Sequence, residues 1–187
     1  QGFFLGDHGW YDKRFMYEPS LRIPLVIRYP RLGVAGQVSD EMVLNVDVAP
    51  TILDIAGIPV PDVMHGRSLK PILEGNPPSG WRQSVYYAYY EDSWRMYQNL
   101  DPELLNDETY KKYFTAHRVG PHRGVRTDRY KLIEYYTEGD YFELFDLAAD
   151  SHELRNLYGE SGYEGITREL TKELQRLRKL YGIVDKS

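Results

Sequence analysis

GVRTDRYKLIEYY, residues 124–136, is written like a β-hairpin: Thr127-Asp128-Arg129 interrupts Val125-Arg126 and a β-rich run from Tyr130 to Tyr136. Working outward, YFELFDL (141–147) supplies a further strand, and the aromatic run SVYYAYY (84–90) reads as another. Together they predict a small antiparallel sheet. Ile166, Leu170, Leu174, Leu177 and Tyr181 recur at spacings of three and four, so residues 163–181 are expected to form an amphipathic helix covering one sheet face.

Towards the N-terminus, IPLVIRY (23–29), flanked by Pro24 and Pro30, reads as a buried strand, and Gly33 and Gly36 mark a turn. Met42 to Asn45 is read as another short strand. Asp47 is then a good N-cap for a helix through Ala56, closed by Gly57, with Val48, Ile52, Leu53 and Ile55 on its buried face. A short helix is expected from Ser68 to Leu73. Asn76-Pro77-Pro78-Ser79-Gly80 has the composition of a linker, which divides the chain into residues 1–80 and 81–187. Residues 92–116 are polar and aromatic, a partly helical excursion.

The composition excludes several classes of function. With 187 residues, 23 Lys+Arg and 28 Asp+Glu, the formal charge of −5 leaves no basic footprint for nucleic acid. An aromatic share of 14% argues against disorder. No apolar run approaches the ~20 residues that span a bilayer, and the absence of cysteine excludes disulfides, thiolate metal sites and a Cys nucleophile within these residues. Gln1 in place of Met, followed by the apolar Gly2-Phe3-Phe4-Leu5-Gly6, suggests the C-terminal part of something longer, whose upstream portion would be its first partner.

Chemistry concentrates at the start. QGFFLGDHGWYD (1–12) has neither helical nor strand periodicity, and its three glycines suit a site loop. Lys13, Arg14, Arg22 and His8 beside an apolar run have the charges to neutralise an oxyanion such as sulfate or phosphate. A solvated face with weak ion pairs among Asp12, Lys13, Arg14 and Glu18 is the plainer alternative. Arg126, Asp128 and Arg129 read as hairpin structure, and Asp146, Asp150 and Glu153 as capping and turn residues. The tyrosines at 86–90 suit sheet packing better than sugar stacking.

QGFFLGDHGWYDKRFMYEPSLRIPLVIRYP, NVDVAPTILDIAGIPVP, HGRSLKPIL, HRGVRTDRYKLI, ELFDL and DSHELRNLYG, in that order, resemble the C-terminal part of the sulfatase family, within the alkaline-phosphatase-like superfamily. The resemblance implies an α/β fold, the end of an alkaline-phosphatase-like sandwich, followed by a small α+β subdomain with an antiparallel sheet and a C-terminal helix. It implies hydrolysis of sulfate monoesters, nearest to enzymes acting on sulfated sugars such as N-acetylglucosamine-6-sulfate or glycosaminoglycan fragments, by a formylglycine hydrate beside a calcium ion. The C/S-x-P-x-R motif that yields formylglycine is absent, since Pro19-Ser20-Leu21-Arg22 does not fit it. The 187 residues are therefore expected to be inactive alone.

By the same resemblance Gln1 is the amide ligand of the metal, its Asp partner lying upstream. Lys13 is the lysine that contacts the sulfate and the leaving oxygen, and His8 belongs to the G-E/D-H-G loop as a catalytic or substrate contact. His117 and His122 precede a hairpin that brings residues to the pocket rim, where one of them would touch substrate. The family's habits place the protein outside the cytoplasm, periplasmic or secreted. Two rival readings stay open: a phosphoesterase or phosphonate hydrolase of the same superfamily, and a noncatalytic carbohydrate-binding or interaction module.

Overall fold

The computed structural model describes residues 2–32, 35–91, 119–136 and 141–183, so the excursion expected over 92–116 lies outside the described residues. In chain order the elements are β1 (Phe4–Leu5), β2 (Tyr11–Asp12), α1 (Glu18–Leu21), α2 (Val48–Ile55), α3 (Lys70–Leu73), β3 (Ser84–Tyr89), β4 (His122–Thr127), β5 (Tyr130–Tyr135), β6 (Tyr141–Asp146) and α4 (Glu164–Leu180). Single 3-10 turns form at Asp7–Gly9, Pro30–Leu32 and Asn45–Asp47. The fold class is the expected one.

Strands β3 to β6 make one antiparallel sheet in sequence order. Its register aligns Tyr86, Val125, Leu132 and Leu144 across the four strands. Alternation puts that row on one face, where Leu157 and Leu170, Leu174 and Leu177 of α4 close over it. Each such side chain, taken fully out of water, contributes about 1.5–3 kcal/mol.

The neighbouring row, Tyr87, Gly124, Ile133 and Glu143, faces the other way. Residues 16–21 lie on that second face, where Met16, Ile133 and Phe145 form a buried cluster with Tyr17, Leu21, Tyr87 and Tyr135 around it. Gly124 permits this approach. A Cβ there would stand 2.4 Å from both the Leu132 carbonyl oxygen and the Met16 sulfur.

The stretch before the sheet departs from its sequence reading. Residues 23–29 form no strand, and Leu25, Val26 and Ile27 are exposed, Val26 at 91%. Pro24 and Pro30 offer no N–H to a ladder, and no described strand lies alongside. Met42 to Asn45 forms no strand either: Met42 to Leu44 is irregular and Asn45 opens a 3-10 turn. The Leu44 N–H is taken by the Asp47 side chain, at 2.7 Å, rather than by a neighbouring strand.

Helix α2 lies where expected, but Asp47 does not cap it. Its carboxylate is fully buried, accepting the Leu44 and Arg67 N–H groups and pairing bidentately with Arg82, Nη2 to Oδ1 at 2.7 Å. The buried side of α2 is Pro50 and Thr51, whereas Val48 and Ile52 of the predicted apolar face are exposed. The Trp81 indole donates to the Met42 carbonyl at 2.8 Å. Residues 42–47 are thereby tied to residues 81–82 across the Asn76–Gly80 stretch.

Candidate active site

The glycine-rich opening is a hairpin loop. Phe4 pairs with Asp12 and Leu5 with Tyr11, and inside the loop the Gly6 N–H donates to the Trp10 carbonyl and the Trp10 N–H to the Asp7 carbonyl. Gly6, at φ 115°, makes the turn that a side chain would disfavour. Phe4 is the buried root of this loop and meets His8, Phe15 and Tyr17 edge-on. His8 sits exposed at the tip, its ring stacked on that of Tyr17 at 4.5 Å and 9° between planes.

Lys13 follows β2 directly. It is half-buried, and among the described residues its ammonium takes part in no ion pair. The residues on either side are strained, Asp12 at φ 122° and Arg14 at φ 98°. A left-handed non-glycine residue costs on the order of 1–3 kcal/mol and persists where its surroundings hold it. Here the holds are visible: the β1–β2 pairing and an Asp12–Arg14 ion pair at 3.4 Å, the Arg14 N–H on Ser20 Oγ at 3.2 Å, and the Tyr87 hydroxyl on the Arg14 carbonyl at 2.6 Å.

Beneath the loop the sheet face is polar and buried. Lys131, wholly enclosed, pairs with Glu18 at 2.8 Å and with Glu153, also enclosed, at 2.5 Å. Arg126 pairs with Glu18 as well, at 3.2 Å, and Glu153 accepts the Glu18 N–H at 2.6 Å. Two cations and two carboxylates thus neutralise one another, which a buried lysine requires, because an unpaired charge in the interior costs several kcal/mol. Burial alone would raise the Glu18 carboxyl, but Arg126 and Lys131 outweigh it and bring it down to about 2.

One residue along, the Tyr17 hydroxyl donates to both oxygens of buried Glu143, at 2.9 and 2.8 Å, and Tyr135 and Tyr141 add longer bonds at 3.3 Å. Burial pushes the Glu143 carboxyl up against the opposing effect of these three hydroxyls. Consecutive residues Tyr17 and Glu18 are therefore both fastened to the sheet.

The structure brings His8 and Lys13 onto one hairpin. It does not bring His122 to a rim: that ring is fully buried, against Phe15, Tyr87, Tyr89 and Tyr135, with Nδ1 on the Gly120 carbonyl at 2.8 Å. Its Nε2 has no hydrogen-bond partner among the described residues. Burial lowers its pKa, with the Gly120 and Arg14 carbonyls pulling the other way. His122 thus lies under the residues that follow Lys13. Gln1 and His117 lie outside the described residues.

Asp146 and Asp150 accept nearby backbone N–H groups, as turn residues do, and Glu153 closes a turn by donating its N–H to the Asp150 carbonyl at 3.1 Å, while its carboxylate is also the buried partner of Lys131. Tyr17, Glu18, Tyr87, Lys131 and Glu143 were not singled out by the sequence reading as site supports. One signal pointed to them: in β5, Lys131 shares a face with Ile133 and Tyr135. Among the described residues no group of three or more His, Asp or Glu is placed to hold a metal ion. A cavity of about 470 Å³, lined by Leu21, Ile23, Val43, Tyr86 and Tyr181 among others, includes neither His8 nor Lys13.

The family described as N-sulphoglucosamine sulphohydrolase, C-terminal, matches residues 6–100 and 94–180. An N-acetylglucosamine-6-O-sulfatase of Bacteroides thetaiotaomicron is 43% identical over 183 residues, covering 97% of this chain and 29% of that protein. A multifunctional alkaline phosphatase superfamily protein of Trinickia caryophylli is 30% identical, covering 90% of this chain and 31% of that one. The solved structure of BT4656 with its substrate D-glucosamine-2-N,6-O-disulfate superposes with a TM-score of 0.83 at 42% identity, over 99% of this chain and 34% of that one. The chain spans about a third of the length of the relatives it matches.

Proposed function

Because this chain belongs to the sulfatase family, as its C-terminal portion, we propose that it forms part of an extracytoplasmic enzyme that hydrolyses sulfate monoesters of sulfated glucosamine. The observation that carries this reading is Lys13, a half-buried cation without an ionic partner among the described residues, on a backbone held in strain at both flanks. Such a group is pre-placed for an anion. As the sulfur–oxygen bond breaks, negative charge grows on the bridging oxygen, and a fixed ammonium stabilises that charge more than it stabilises the bound ester. His8, presented at the loop tip on the face of Tyr17, is the second contact to substrate.

The nucleophile is not among these residues. A formylglycine hydrate elsewhere in the protein would attack sulfur, and a calcium ion, to which Gln1 would lend an amide oxygen, would polarise the sulfate. Residues 1–80 belong in this reading to the catalytic α/β domain and 81–187 to the C-terminal subdomain. The exposed apolar side chains between Ile23 and Val63 are the face that the rest of the protein covers.

The rival readings have less support. The superfamily relative is 30% identical against 43% for the sulfatase, and His122, a residue a sugar-binding module would expose, is buried. In the whole protein, Lys13→Ala should cut turnover of glucosamine 6-sulfate about a hundredfold, as for loss of one oxyanion contact. Undiminished turnover would remove Lys13 from the site.

A further inference from the structure

We propose that Tyr87 is a positioning residue for Lys13: its hydroxyl, donating to the Arg14 carbonyl at 2.6 Å, holds the Arg14–Phe15 peptide and so keeps Arg14 in the backbone conformation that fixes where the neighbouring Lys13 ammonium stands. The inference rests on the reading of Lys13 as the sulfate contact. Three observations support it. Arg14 is left-handed at φ 98°, a conformation a non-glycine residue keeps only where it is held. Its N–H and its carbonyl are both held, by Ser20 Oγ and by Tyr87. Both anchors sit in packed elements, Ser20 being buried in α1 and Tyr87 lying in a strand of the four-stranded sheet.

The strand's alternation explains why this tyrosine does the work. Tyr86 points to the α4 side and packs with Val125 and Leu132. Tyr87 points to the loop side, packs with Met16, Ile133 and Phe145, and is the tyrosine that reaches Arg14. Burial raises its phenol above the ordinary value, so at neutral pH it remains a hydrogen-bond donor. Removing the oxygen while keeping the ring would leave that packing in place and take from the Arg14 carbonyl only its tyrosine donor.

The test uses the whole protein with Tyr87→Phe. Two readouts are taken: turnover of glucosamine 6-sulfate, and the NMR signal of 13C-dimethylated Lys13, assigned by its loss in Lys13→Arg. Tyr87→Phe should lower kcat by about tenfold or more, since small misplacements of a catalytic group carry losses of that order. Combined with Lys13→Ala it should add nothing to the loss Lys13→Ala causes alone. The Lys13 signal should move towards the position of solvent-exposed lysines.

A general weakening of the fold would multiply with the Lys13→Ala loss instead, and that result, or an unmoved Lys13 signal, overturns the proposal. Ser20→Ala, which releases the other hold on Arg14, must show the same coupling, and it carries the test should Tyr87→Phe not fold. If the wild-type protein turns over no sulfate ester, the sulfatase reading falls, while the Lys13 signal still decides whether Tyr87 positions that side chain.

Discussion

Two stretches of this chain carry similar amounts of apolar side chain and use it in opposite ways. Between Ile23 and Val63, Val26 is 91% exposed, Val38 89% and Val63 85%. Between Val119 and Leu177, Val125, Leu132, Ile133, Leu144, Leu170 and Leu174 are all buried. Hydrophobicity is the same instruction in both places; what differs is whether its partner is within reach. The sheet row meets α4 inside the same stretch, whereas the apolar run at 23–29 has no described strand beside it. An apolar pattern therefore says that a face will be covered, and only the neighbouring elements say by what.

That contrast can be pressed hardest at Lys131. Replacing it by alanine leaves the enclosed Glu153 carboxylate without its cation, while Glu18 keeps Arg126, and should destabilise the chain by about 3–5 kcal/mol, read as a drop in urea midpoint. A loss below about 1 kcal/mol would mean that water reaches the cluster. Leu144→Ala, in the centre of the sheet core, should remove roughly 2–5 kcal/mol.

Acid supplies a third probe. His122 is neutral in the folded chain because burial lowers its pKa, so its contribution is complete above the unfolded value near 6.5 and is lost as pH falls below it. Glu18, lowered to about 2, adds a second loss between its unfolded value near 4.5 and about 2. His122→Phe should flatten the first of these declines in a urea titration series and leave the second. The smallest effect is expected in the other region: Val26→Ser should change the stability of the 187 residues by less than about 0.5 kcal/mol. The same substitution in the whole protein should cost more, and an equal effect in both would mean that nothing covers that face.

The sheet and α4 were legible because periods of two and of three to four repeat over four strands and seventeen residues. The glycine-rich opening was legible as a loop, with His8 on it and Lys13 at its end. What lay beneath it was not. In YKLIEY, Lys131 shares a face with Ile133 and Tyr135 and reads as a side open to solvent, yet that face is buried too, because residues 16–21 close over it as α4 closes over Val125 and Leu132. A local pattern records that a strand has two faces, but not which distant segment lands on one of them. His122 was misplaced for this reason, and the pairing of the turn residue Glu153 with Lys131 went unseen.

The strands β3 to β6 pair in sequence order, so most of the sheet assembles from neighbours along the chain. The bonds that fasten the site loop join Tyr17 to Glu143 and Glu18 to Glu153, separations of 126 and 135 residues. Contacts across so long a span are slow to find, since closing the larger loop is entropically dearer. The scaffold and the loop are thus expected to belong to different moments of refolding, the sheet and α4 collapsing first and the loop bearing Lys13 docking last.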